Sequence, residues 1–172
     1  SVPVHHEPVR RRELRTTKHI MLSYNWDHQG QVKRVFDRLT ELGLNVWMDT
    51  QGGMSTDVYD SMAEGVSNAA VVVAFMSPKY QNSPNCMLEV KFARQSGVEI
   101  VPVMMEGNGW KASGWLGLLT AGALWVPMHE VADFDDNLNQ LYGQLLKLLK
   151  DNEADEGADE EDAEHIAELA SS

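Results

Sequence analysis

The sequence holds a single cysteine, Cys86, so no disulfide can form within the chain, and a reducing compartment is the expected setting. It also lacks any apolar run near the roughly 18 residues that a membrane helix needs, and it shows no signal-peptide pattern. A cytoplasmic protein that does not engage a membrane is therefore expected. The first residue is Ser1 rather than Met, as expected for a domain excised from a longer protein. Phosphate-cradling glycine motifs are missing: neither GxGxxG nor GxxxxGKS/T occurs, and Gly52-Gly53 and Gly107-Asn108-Gly109 read as turns. No Ser, His and acid are spaced as a nucleophile elbow. His5-His6 has no Cys or acid cluster beside it, too little for a metal site, and no metal is expected.

An excess of basic charge is lacking too. The net charge is -12, but residues 151 to 172 carry ten acids and no Lys or Arg, which leaves 16 acids against 14 bases before them, a balance of -2. A nearly neutral body with an acidic tail does not favour nucleic-acid backbones. The tail has too few large apolar residues to order itself, so residues 151–172 are expected to be disordered, with at most a transient helical turn over Ala163 to Leu169. Such a solvated tail would discourage premature self-association. Residues 1–18, with Arg10-Arg11-Arg12 and no sustained period, read as a flexible basic lead-in. Between them, residues 19–150 are long enough for one domain with its own core.

What is present in that domain is an alternation of strands and helices. His19 to Ser23 reads as a short buried strand, and Val32, Val35, Phe36, Leu39 and Leu42 mark a helix that Gly43 stops. Leu44 to Asp49 is a second strand, followed by the loop Thr50 to Met54 and a helix through Val58, Tyr59, Met62 and Val66 with Ser55 as its cap. Ala69 to Met76 is a continuous Ala/Val run suited to burial on both faces. Val98 to Met104 and Ala123 to Val126 supply two more strands, separated by a long loop with Trp110 and Trp115. Leu138, Leu141, Leu145 and Leu148 form the apolar stripe of a last helix. This pattern predicts an α/β, flavodoxin-like three-layer domain: a five-stranded parallel sheet in the order 2-1-3-4-5 with helices on both faces.

In such sheets ligands sit beyond the carboxyl ends of the strands, at the switch between strands one and three. Ser23-Tyr24-Asn25-Trp26, Asp49 to Met54 and Ser77 to Glu89 reach that edge. The last segment starts a helix at Ser83-Pro84, whose inward stripe is Cys86, Glu89, Val90 and Ala93. A carboxylate on a core-facing stripe is costly without a partner or a task, which singles out Glu89. Two common tenants of the fold do not fit. The third strand ends Phe75-Met76-Ser77 rather than in a phospho-acceptor Asp, and Tyr24-Asn25-Trp26-Asp27-His28 is no flavin phosphate loop.

Four segments together resemble a known family. His19-Ile20-Met21-Leu22-Ser23-Tyr24, Val46-Trp47-Met48-Asp49 with its Gly-bearing loop, Val71 to Ser77 followed by Tyr80, Ser83, Cys86 and Glu89, and Ile100-Val101-Pro102-Val103 are similar, in order and spacing, to the TIR (Toll/interleukin-1 receptor) domain. The resemblance is greatest to cytosolic TIR domains of invertebrates and simple eukaryotes, which carry the S-x-x-C-x-x-E helix and a similar late Gly-Trp-Leu-Gly. It implies NAD+ glycohydrolase activity with Glu89 catalytic, yielding nicotinamide and ADP-ribose or its cyclic form. It also implies signalling of the innate-immune or cell-death kind, activated by self-association through the Thr50 to Ser55 loop. The alternative it leaves open is a non-catalytic TIR–TIR scaffold. NAD+, with NADP+ as its close variant, enters as substrate, and no other cofactor is expected. The residues expected around it are Ser23, Tyr24, Asn25, Trp26, Asp49, Met54, Ser77, Cys86 and Trp115, with Trp26 and Trp115 offering stacking faces and Cys86 a small packed wall. Two departures stand out: Asn85 replaces the Trp that precedes this Cys in many active members, and no Arg or Lys follows Ser23-Tyr24.

Overall fold

The computed structural model describes residues 18–49, 58–129 and 131–171. The lead-in before Lys18 and the Thr50 to Ser55 loop, Met54 included, lie outside the described residues. The chain runs β1 (His19–Ser23), α1 (Gln29–Glu41), β2 (Val46–Met48), α2 (Val58–Ser67), β3 (Ala69–Met76), α3 (Pro78–Gln81), α4 (Pro84–Gln95), β4 (Glu99–Met104), α5 (Gly114–Leu119), β5 (Val126–Pro127) and α6 (Phe134–Ala170). The strands form one sheet in the order β2-β1-β3-β4-β5, every pairing parallel, as the alternation predicts.

The pleat of the strands sorts side chains between two helical layers. Ile20, Leu22, Val71, Val73 and Phe75 face α1 and α6, where they pack with Val32, Val35, Leu39, Leu138, Leu141 and Leu145. Met21 and Val72 face the other way, against Val66 of α2 and Ala93 of α4. Ala74 and Met76 face that same side, with Cys86 and Val90 of α4 and Leu116 of α5. All eight residues of β3 are buried, so its Ala/Val run is read correctly as a strand covered on both faces. The same period of two sends Ser23, two residues after Met21, toward α4. That single parity decides the site.

Local signals set the helix starts. Ser77 and Ser83 each precede a proline, and each hydroxyl accepts from the backbone N–H three residues on, at 3.1 Å from Tyr80 and 3.3 Å from Cys86. Gly43, with φ at 91°, turns the chain out of α1, a conformation that only glycine adopts freely.

The structure departs from the sequence pattern in three places. The late segment is not all loop, because Gly114–Leu119 makes a turn and a half of helix that buries Leu116. The last strand is shorter and later than Ala123 to Val126: Leu124 and Trp125 are exposed, and only Val126 and Pro127 pair with β4. The acidic tail, expected to be disordered, continues α6 as helix to Ala170. Its Ala, Glu and Leu residues are good helix formers, and the packed part of α6 through Leu149 supplies the nucleus that an isolated helix lacks. Beyond Asn152, whose side chain donates to the Ala70 carbonyl at 3.4 Å, the described side chains are exposed.

Candidate functional site

β1, β2 and the first turns of α4 surround a crevice of about 160 Å³ at the carboxyl end of the sheet. Its wall is Met21, Leu22, Tyr24, Asn25, Trp26, Trp47, Asp49, Met62, Ser83, Asn85, Cys86 and Glu89. The chain leaves β1 for β2 on one side and returns to β3 on the other, so this is the switch point where a doubly wound sheet opens.

Glu89 projects from the inward stripe of α4 into this crevice, partly buried while Cys86, Val90 and Ala93 are fully enclosed. Ser23 Oγ donates to Glu89 Oε2 at 2.5 Å and lies 2.7 Å from the Tyr80 hydroxyl. Desolvation pushes the Glu89 carboxyl up from 4.5 to about 7; the Ser23 hydrogen bond opposes this, and the charge of Asp49 adds to it. Near neutral pH the group is thus divided between acid and carboxylate.

The neighbouring groups are fixed in place. The Tyr24 hydroxyl donates to the backbone carbonyl of Asp49, joining the ends of β1 and β2. Burial, with Asp49 and Glu89 adding to it, raises its phenol to about 12, so it stays a donor. Trp26 stacks on Tyr24 with centroids 6.5 Å apart, and Asn25 Oδ1 accepts from Asp27 N at 3.1 Å to start the short turn that carries Trp26. Beside it Lys79 pairs with Asp27 on the surface. Cys86 is buried with its thiol pushed up to about 12, chiefly by desolvation, and its Sγ contacts the Tyr24 carbonyl at 3.6 Å. A buried thiol held in its protonated form is a poor nucleophile.

The crevice thus brings together Glu89, Tyr24, Asn25, Trp26, Asp49 and Cys86, with Ser23 directly behind the carboxylate. Two of the expected residues, Ser77 and Trp115, are not in the crevice wall. Ser77 is buried and spends its hydroxyl on the cap of α3. Trp115 is turned away from the crevice: its indole N–H donates to the Gln81 carbonyl at 2.8 Å and its ring packs on Tyr80, centroids 6.3 Å apart. Trp47 and Met62 were not anticipated in the wall. Trp47 stacks on His19 at 5.6 Å and lies against Gly65 of α2. A glycine on a helix facing an aromatic strand residue is the signal that could have found it.

A family model described as TIR domain matches residues 20–142. The chain belongs to the TIR domain family. Solved TIR structures share its fold at low identity. The TIR domain of a Toll-related receptor from the lower metazoan Hydra magnipapillata is 10% identical, aligns over 73% of this chain and 95% of that one, and has a TM-score of 0.59. A metazoan TIR-STING receptor from C. gigas is 20% identical over 81% of this chain and 42% of that one, with a TM-score of 0.50. No curated protein matches the sequence. Within this TIR domain the crevice falls between the ends of β1 and β2 and the start of α4.

Proposed function

We propose that this TIR domain hydrolyses NAD+ at the nicotinamide–ribose bond. The observation that carries the reading is the Glu89 carboxylate, held by Ser23 in an aromatic-walled crevice at the switch point. Breaking the bond between C1′ and the ring nitrogen returns the electron pair to nicotinamide, which leaves neutral and needs no general acid. Positive charge then develops on the ribosyl group, and a preorganised carboxylate stabilises it as it forms. Water adds at C1′ and releases a proton, giving ADP-ribose; capture by the adenine ring instead would give a cyclic product. Tyr24 and Trp26 offer faces for a flat cationic ring.

The crevice is smaller than the roughly 300–1,000 Å³ typical of ligand pockets. It would admit the nicotinamide–ribose end and leave the rest of the dinucleotide to another surface, which supports completion of the site by a second TIR domain. A scaffold role is the second reading, favoured by the exposed Leu118, Leu124 and Trp125 beside β5.

Nicotinamide release from NAD+ at high protein concentration separates the two. Wild type should turn over, and Glu89→Ala should lose at least about a hundredfold in kcat, the scale of one electrostatic contact at the reacting centre. Equal trace release by both proteins would leave the scaffold reading.

A further inference from the structure

When Glu89 is ionised, the hydrogen-bond chain behind it has its proton directions set by chemistry. An ionised carboxylate only accepts, so in the bond to Glu89 Oε2 the single proton of Ser23 is given away. Ser23 Oγ must then accept from its other partner, the Tyr80 hydroxyl at 2.7 Å. Tyr80 is completely buried among Ala74, Met76, Cys86, Val90, Met104 and Leu116. Desolvation holds its phenol well above 10, and it makes no other side-chain hydrogen bond among the described residues. In the carboxylate form the protons therefore point from Tyr80 to Ser23 to Glu89.

We infer, on the reading of Glu89 given above, that Tyr80 is a positioning residue that acts through Ser23 to fix which carboxylate oxygen meets the ribose. Loading Oε2 from behind leaves Oε1 as the oxygen without a protein donor among the described residues, and therefore the one open to a ligand hydroxyl or to C1′. The position of the phenol is itself set from two sides. The cap of α3 binds the Tyr80 backbone N–H to Ser77. Across the ring, Trp115 is anchored on Gln81, whose side chain also takes the Ser113 N–H at 2.9 Å and gives to the Ser113 hydroxyl at 3.0 Å. Ser77 and Trp115 thus serve the carboxylate at one remove, as supports of Tyr80.

The test follows the Glu89 side-chain carboxyl carbon by NMR against pH, in parallel with kcat and KM for nicotinamide release. Tyr80→Phe keeps the ring and removes only the donor. It should raise the Glu89 titration midpoint by about half a pH unit, because the Ser23 donation weakens. It should also lower kcat roughly three- to tenfold with KM nearly unchanged. Ser23→Ala should raise the midpoint further, and the double variant should go no higher than Ser23→Ala alone, since the effect passes through that hydroxyl. Site-specific 3-fluorotyrosine at position 80, a stronger donor of nearly the same shape, should move the midpoint down; it decides the matter if Tyr80→Phe does not fold. An unmoved midpoint in these variants, or shifts that simply add in the double, would reduce Tyr80 to a packed core residue. No nicotinamide release by wild type would remove the enzyme reading instead, and the titration would still decide whether Tyr80 orients the carboxylate.

Discussion

At the scale of single residues the molecule turns on the ionisation of Glu89. Its carboxyl titrates near 7 in the folded state and near 4.5 when unfolded, so the folded chain holds that proton more tightly. The stability this contributes is complete below about pH 4.5 and is lost as pH rises through 7. Glu89→Gln, which cannot ionise, should therefore be more stable than wild type at pH 8 by about 1–3 kcal/mol and level with it at pH 4, as urea unfolding would measure. Activity should run in the opposite direction. On the proposed reading the carboxylate is the working form, so kcat for nicotinamide release should climb with pH through about 7 and then level off. A rate independent of pH between 5.5 and 8.5 would speak against Glu89 at the reacting centre. Cys86, by contrast, should be inert: Cys86→Ala should keep activity within a few-fold, and alkylation of the native thiol should be slow.

At the scale of elements, the contact between β2 and α2 shapes the crevice. Trp47 is sandwiched between His19 and Gly65, and the His19 ring nitrogen lies 2.7 Å from the Gly65 carbonyl. A Cβ at position 65 would meet the Trp47 ring at 2.7 and 2.9 Å, too close for either group to stay. Gly65→Ala would normally favour a helix by about 1 kcal/mol. Here overpacking should outweigh that gain and leave a net loss of about 1–2 kcal/mol in urea unfolding, with a changed near-ultraviolet Trp signal. A stabilised variant with an unchanged spectrum would mean that Trp47 has room to turn. The elements also explain why two candidates lie outside the crevice wall. Ser77 and Trp115 stand at the right edge in sequence, but a cap takes one hydroxyl and the α3–α5 contact takes the other indole.

At the scale of the whole molecule the unusual part is the far end of α6. About 18 residues, or roughly 27 Å of helix, extend beyond the Asn152 contact with ten acids in the last 22 positions and no base to offset them. Self-repulsion should make this stretch the least stable helix in the protein. Ending the chain at Asn152 should leave the unfolding free energy within about 1 kcal/mol of wild type while far-ultraviolet helicity drops. If the tail restrains assembly, the shortened chain should also sediment as larger species at lower concentration. Unchanged sedimentation would remove that role.

Much of this was open to reading in the chain itself. Strand and helix periods, the two Ser-Pro starts and the all-apolar β3 dictated the layers and the strand order, because burying an apolar stripe leaves few arrangements. The order placed a crevice at the ends of β1 and β2, and the cost of an acid on the inner face of α4 marked Glu89. Packing alone decided the rest. Whether Trp47 or Trp115 lines the crevice depends on contacts between elements far apart in sequence, which no local period encodes. The proton chain from Tyr80 depends on Ser23 falling on the α4 side of the sheet, a matter of strand parity that acquires meaning only once the helix is set against it.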